Sequence, residues 1–99
     1  MRTYVDVYEF EWDSGNLNKN KVKHAVSNEE AEEVFFDDGK VILKDAIHSS
    51  SQEKRFILLG NTKRDRLLYI VFTKRLQKIR IILARDIHKK ERHFYEKTT

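Results

Sequence analysis

The chain has no cysteine, no proline and three glycines in 99 residues. Without cysteine it can form neither a disulfide nor a thiolate metal site, so its stability has to come from a packed core. A chain of 99 residues is long enough to bury a modest core, and residues 1–99 suit a single domain. Gly15, Gly39 and Gly60 stand apart, which excludes a glycine-rich phosphate loop. HExxH, other paired-histidine metal spacings and the nucleophile elbow are equally missing. No metal and no other cofactor is therefore expected. No apolar run approaches the roughly 18 residues that a membrane helix needs, and the N-terminus lacks the charged start and apolar segment of a secretion signal. The expectation is a soluble, cytoplasmic protein with no membrane partner, without repeats or linkers.

Charge is abundant instead. Asp, Glu, Lys and Arg make up 36% of the chain and hydrophobic residues 39%, too apolar in its strand segments for a disordered protein. The charge is also polarised. Residues 1–53 hold 6 Lys plus Arg against 12 Asp plus Glu, whereas residues 54–99 hold 14 against 4, net −6 and net +10. A basic half of this strength attracts polyanions through their phosphates and through counterion release, so nucleic acid or an acidic protein is the natural partner. The alternative is that the two halves neutralise each other in the fold.

Tyr4 to Trp12 alternates, with Tyr4, Asp6, Tyr8, Phe10 and Trp12 opposed to Val5, Val7, Glu9 and Glu11, and predicts a strand ending near Trp12. Asp13 to Asn16 are turn or cap residues, and Leu17 to His24 predicts a short polar helix. Ser27 followed by Glu30 is a capping box; the helix it opens carries Ala31, Val34 and Phe35 at i, i+3, i+4 and stops near Gly39. Strands come next at Lys40 to Leu43 and Glu53 to Gly60, separated by a polar loop containing His48. In the second, Phe56, Leu58 and Gly60 face one way and Arg55, Ile57 and Leu59 the other.

After a polar turn, Leu67 to Phe72 and Ile79 to Leu83 predict a hairpin. Strict alternation puts Lys78, Arg80, Ile82 and Ala84 on one face and Ile79, Ile81, Leu83 and Arg85 on the other. Asp86 is placed to cap a last helix, Ile87 to about Lys97, with Ile87, Phe94 and Tyr95 on one side and Glu91 on the stripe facing the sheet. The order predicts an α+β fold: an antiparallel sheet of four to five strands, two N-terminal helices and one C-terminal helix, with the helices segregated on one face.

Arginine is the chemically useful feature that remains. Cleaving RNA without a metal needs a group to take the 2′-OH proton, positive charge on the pentacovalent phosphorane and a donor for the departing 5′-oxygen. Arginine suits the second role, because its planar fork binds phosphate bidentately and stays charged. A lone Arg80 would read as the polar member of a half-buried strand, but Lys74, Arg75, Lys78 and Arg85 accompany it. Glu91 reads as the ion-pair partner of Arg85 or Arg80, as the orienter of a phosphate-binding arginine, or as both. His24, preceded by Lys23, and His48 can titrate near neutrality, with a surface or capping role equally open to each.

Several segments in order resemble the BrnT family of bacterial toxins over nearly the whole chain. They are FEWD at Phe10 to Asp13, Asn20, KHAV at Lys23 to Val26, SNEEAEEVFFD at Ser27 to Asp37, His48 and EKRFILLG at Glu53 to Gly60. Thr73 with Arg75, RIILAR at Arg80 to Arg85, Glu91 and Tyr95 complete the set. The family usually has KHGV where this chain carries Ala25, and glycine is the residue that adopts a positive φ cheaply; it often has Lys where Asn16 stands. The resemblance implies a RelE-like ribonuclease fold and a metal-independent endoribonuclease activity that inhibits translation. It also implies a cognate, BrnA-like antitoxin encoded alongside, through which alone the toxin meets operator DNA.

Carried over by position, it implies Arg55, Arg80 and Arg75 as phosphate and transition-state contacts, with Lys23 and His24 next for substrate contact or proton transfer. Arg85, His48 and Glu91 match as well and, with neighbouring Lys78, form the expected substrate-binding set; Glu53 and Tyr95 also match. Trp12 and Asp13 match but read as structural. The expected substrate is RNA, with messenger RNA at the ribosome as its expected form. Two alternatives stand beside this: a non-catalytic basic subunit that binds an acidic antitoxin or DNA, and a general RNA-binding module.

Overall fold

Four strands, β1 (Val41–Asp45), β2 (Arg55–Asn61), β3 (Leu67–Arg75) and β4 (Lys78–Asp86), form one antiparallel sheet in chain order. The computed structural model describes residues 8–47 and 49–98. Three helices accompany the sheet: α1 (Lys19–His24), α2 (Asn28–Glu33), continued by a 3₁₀ turn at Val34–Phe36, and α3 (Lys89–Thr98). The architecture is α+β, as expected. Tyr4 to Val7 of the predicted first strand, and His48, lie outside the described residues. The remainder of that predicted strand runs parallel beside β4: the Glu11 N–H donates to the Ile79 carbonyl at 2.8 Å and the Ile79 N–H to the Glu9 carbonyl at 2.7 Å. Among the described residues no helix is long and apolar enough to cross a membrane.

The capping box forms as the sequence predicts. The Glu30 N–H donates to Ser27 Oγ at 3.0 Å and the Ser27 N–H to Glu30 Oε1 at 3.1 Å, which fixes where α2 starts and so which residues it presents. Ala31, Val34 and Phe35 are buried in one cluster with Leu58, Ile70, Phe72 and Ile81. The Phe35 ring meets Phe10 and Phe72 edge-on, with centroids 5.2 and 5.0 Å away. Trp12 Nε1 donates to Glu32 Oε2 at 2.6 Å and ties the N-terminal segment to α2. Gly60 lies against the 3₁₀ turn, where a Cβ would stand 2.9 Å from the Val34 carbonyl oxygen, so only glycine permits this approach.

The β2–β3 register pairs Phe56 with Phe72 and Leu58 with Ile70 on the core face, and Arg55 with Thr73 on the second face. The alternation expected of β2 therefore holds. On β4 it does not. Phe72 pairs with Ile81 and Val71 with Leu83, so Ile82 is an unpaired bulge residue. Alternation resets there: Ile79, Ile81 and Ala84 point to the core, while Arg80 and Arg85, expected on opposite faces, share the second one.

Two further expectations are corrected. Asp86 does not cap the last helix, because it ends β4 and pairs with Arg66 Nε at 2.6 Å. The helix instead begins after His88, whose N–H donates to Glu91 Oε1 at 2.8 Å. Nor do all helices share a face: α3 reaches the second face through Glu91, paired with the Arg85 that the bulge has turned there. Ala25 takes the left-handed conformation, φ 56°, although it carries a Cβ. So do Leu76 and Gln77, at φ 50° and 69°, in the two-residue turn between β3 and β4.

Candidate functional site

Strand register builds the site. Asp45, Arg55, Thr73 and Arg80 are direct cross-strand neighbours on one face. Adjacent strands lie about 4.8 Å apart, so the backbones of Arg55 and Arg80 are separated by roughly 10 Å with the short Thr73 side chain between them. Thr73 is buried and donates its hydroxyl to the Lys54 carbonyl at 2.7 Å. Arg75, two residues along β3, shares that face. Arg55, Arg75 and Arg80 line a single hollow of about 190 Å³ together with Glu53, Gly15 and Asn16.

Each guanidinium is oriented by a carboxylate. Arg80, whose side chain is only 13% exposed, donates through Nη1 to Asp13 Oδ2 at 2.7 Å and through Nη2 to Asp13 Oδ1 at 3.0 Å, and reaches Glu11 Oε1 at 3.3 Å. Buried Asn16 stitches the Asp13 loop to β4: its Nδ2 donates to the Glu11 and Ile81 carbonyls at 3.0 and 3.1 Å, and its Oδ1 accepts the Asp13 N–H at 2.8 Å. Gly15 leaves room for Arg80, since a Cβ there would fall 2.5 Å from Nη2. The Arg80 hydrogen bond, with the Gly15 N–H, holds the Asp13 carboxyl below its ordinary range.

Glu53 bridges the other two arginines, accepting from Arg55 Nε at 3.0 Å and from Arg75 Nη2 at 3.4 Å; Arg75 lies 3.9 Å from Glu11. The Arg55 hydrogen bond is the main reason its carboxyl is held below the ordinary glutamate range. Among the described residues Glu53 is the only carboxylate lining the hollow, against three guanidiniums; Asp13 and Glu11, which pair with Arg80 and Arg75, stand outside that lining. In part the acidic and basic halves of the chain do neutralise each other, here and at the Arg66–Glu30 pair.

Arg85 and Glu91 are also brought together. They form a bidentate pair at 2.9 and 2.7 Å, and the Arg85 guanidinium lies 3.9 Å over the Tyr69 ring. Burial pushes the Glu91 carboxyl up, but Arg85 and the His88 N–H outweigh it and the group sits below its ordinary range. Tyr95 anchors α3 by donating its hydroxyl to Asp37 Oδ2 at 2.7 Å; burial and that bond push it up to about 12.

The remaining sequence candidates lie elsewhere. Lys78 pairs with Glu9 at 3.5 Å and does not line the arginine hollow. Lys23 lines a shallow recess on α1 with Leu17 and Val22. The His24 carbonyl accepts from Arg66 Nη2 at 3.5 Å. Arg66 precedes β3 whereas Arg75 ends it, roughly 30 Å away along the strand. His48 is outside the described residues. Conversely, sequence reasoning gave no site role to Glu53, Gly15 or Asn16. Glu53 stood two residues before a strand arginine, but nothing local in the sequence sets Gly15 or Asn16 beside β4.

No curated protein matches the chain. A family model described as the ribonuclease toxin BrnT of type II toxin-antitoxin systems matches residues 12–91, from the Trp12 that is tied to α2 through to the Glu91 that holds Arg85. That span contains every residue lining the arginine hollow, and on it the chain belongs to the BrnT family of type II toxin-antitoxin ribonuclease toxins.

Proposed function

We propose that this chain is an endoribonuclease that works without a metal, with the scissile phosphate held between Arg55, Arg75 and Arg80. The observation that carries this reading is the convergence of three guanidiniums on one hollow that still has space for a phosphodiester. Arg80 and Arg55 flank the phosphate from opposite sides, and their fixed charge stabilises the phosphorane. Glu53, ionised and within the hollow, takes the 2′-OH proton. The 2′-oxygen then attacks phosphorus and the 5′-oxygen departs, gaining a proton from solvent, to leave a 2′,3′-cyclic phosphate and a 5′-hydroxyl. Lys23 and His24 are left to contact flanking RNA.

As a toxin of a type II system the protein would act in the cytoplasm, inhibit translation by cutting ribosome-associated messenger RNA, and be neutralised by a cognate, BrnA-like antitoxin that supplies the DNA contact. Family membership and the basic second half of the chain support this. The test is cleavage of a labelled RNA by the purified protein, with product ends mapped. Wild type should produce cyclic phosphate ends, and Arg80→Ala and Arg55→Ala should cut at least a hundredfold more slowly while still binding antitoxin. Folded wild type that cuts no RNA under any condition would leave the non-catalytic basic subunit as the better account.

A further inference from the structure

A second hollow of about 270 Å³ adjoins the first and shares two of its lining residues, Arg55 and Ile82. Its chemistry is different. The Tyr69 ring with the Arg85 guanidinium stacked on it lines the hollow together with Val71 and Leu83, and Asp45, the cross-strand neighbour of Arg55, completes it. We propose that this hollow receives the base of a nucleotide adjoining the bound phosphate, so that the site reads single-stranded RNA. The proposal rests on the phosphate assignment of the arginine hollow.

Three observations carry it. First, the bulge at Ile82 sets both hollows on one continuous stretch of the second sheet face, so a chain whose phosphate lies between Arg55 and Arg80 passes directly over the neighbouring hollow. Second, both oxygens of Glu91 hold Arg85, and its side chain is only 17% exposed. Its charge is already matched, and what it offers is a flat guanidinium plane on an aromatic ring. Such planes are surfaces on which unpaired RNA bases stack, without strong sequence preference. Third, the volume is just under the about 300 Å³ at which small-molecule pockets begin, which leaves room for one base. Arg85 thus acquires the substrate-binding role expected of it by forming a wall rather than by meeting phosphate, and Glu91 acts through Arg85 by holding it there.

The test uses 2′-O-methyl trinucleotides, which lack the attacking hydroxyl, with the base removed at each position in turn. Wild type should bind one abasic variant at least fivefold more weakly than the intact trinucleotide, near the low end of what one stacked base contributes. Tyr69→Ala should bind the intact and that abasic trinucleotide equally, and Tyr69→Phe should keep the difference. Leu83→Ala, which leaves the stack untouched, should shrink it. Equal binding of all abasic variants by wild type overturns the proposal, as does a Tyr69→Ala protein with an unchanged melting curve that still discriminates. Arg80→Ala separates the two assignments: it should weaken intact and abasic trinucleotides by the same factor, and if it weakens neither, the phosphate assignment itself has failed.

Discussion

Gly15→Ala tests whether the position of Arg80, rather than its mere presence, matters for cleavage. The added Cβ would stand 2.5 Å from Arg80 Nη2 and 3.0 Å from Asp13 Oδ1. Ordinary carbon contacts begin near 3.5 Å, so the guanidinium has to retreat by about 1 Å. Gly15 has no positive φ, so alanine fits the backbone and the fold should survive. A misplacement of about 1 Å in a catalytic group typically costs about a hundredfold in rate. Single-turnover cleavage of a labelled RNA should therefore slow about a hundredfold, with a melting temperature close to that of wild type. Because the substitution acts through Arg80, the double variant Gly15→Ala, Arg80→Ala should be no slower than Arg80→Ala alone. A Gly15→Ala protein that cuts at the wild-type rate, or losses that multiply in the double variant, would refute this account of Arg80.

Three other outcomes are expected. Gly60→Ala forces a Cβ to within 2.9 Å of the Val34 carbonyl and 3.0 Å of Leu58 Cδ2; denaturant titration should show a loss of about 1–3 kcal/mol with unchanged cleavage per folded molecule. Ala25→Gly relieves a left-handed residue at φ 56°, a strain of about 1–2 kcal/mol for a residue with a Cβ. Glycine's extra chain entropy offsets about 0.5–1 kcal/mol of that, so stability should rise by about 0.5–1 kcal/mol by the same titration. In the pH–rate profile, the proton acceptor works ionised and Glu53 is held below the ordinary glutamate range. Cleavage should stay level as pH falls from 8 and decline only below about 4.3, whereas a histidine base would give a decline near pH 6.5.

Local rules carried the sequence reading a long way. The capping box, the Ala31, Val34 and Phe35 stripe and the alternation of β2 each depend on spacing within one element, and each stands in the structure as expected. Position in three dimensions was less accessible. One extra residue at Ile82 changes the face of everything after it, and no residue type in RIILAR marks it as the bulge. Asp86 had the chemistry of a helix cap, but a partner twenty residues earlier, Arg66, claims it. Arg66 itself, which also donates to Glu30 and the Ala25 carbonyl, drew no attention because its partners are distant in sequence. Lys23 and His24 sat next to each other in a family motif, and only the path of α1 sets them apart from the arginines.

The carboxylates that hold Arg55, Arg75 and Arg80 in place have a consequence for ionic strength. Glu53 and Asp13 behave as tethered counterions that cannot diffuse away when a strand arrives. A phosphate that docks joins anions the protein already supplies, so fewer small ions escape into the buffer than three cationic side chains would suggest. Three free cations meeting single-stranded RNA would give a salt slope of about 2; this groove should give a shallower one and lose less of its grip on the strand as salt rises.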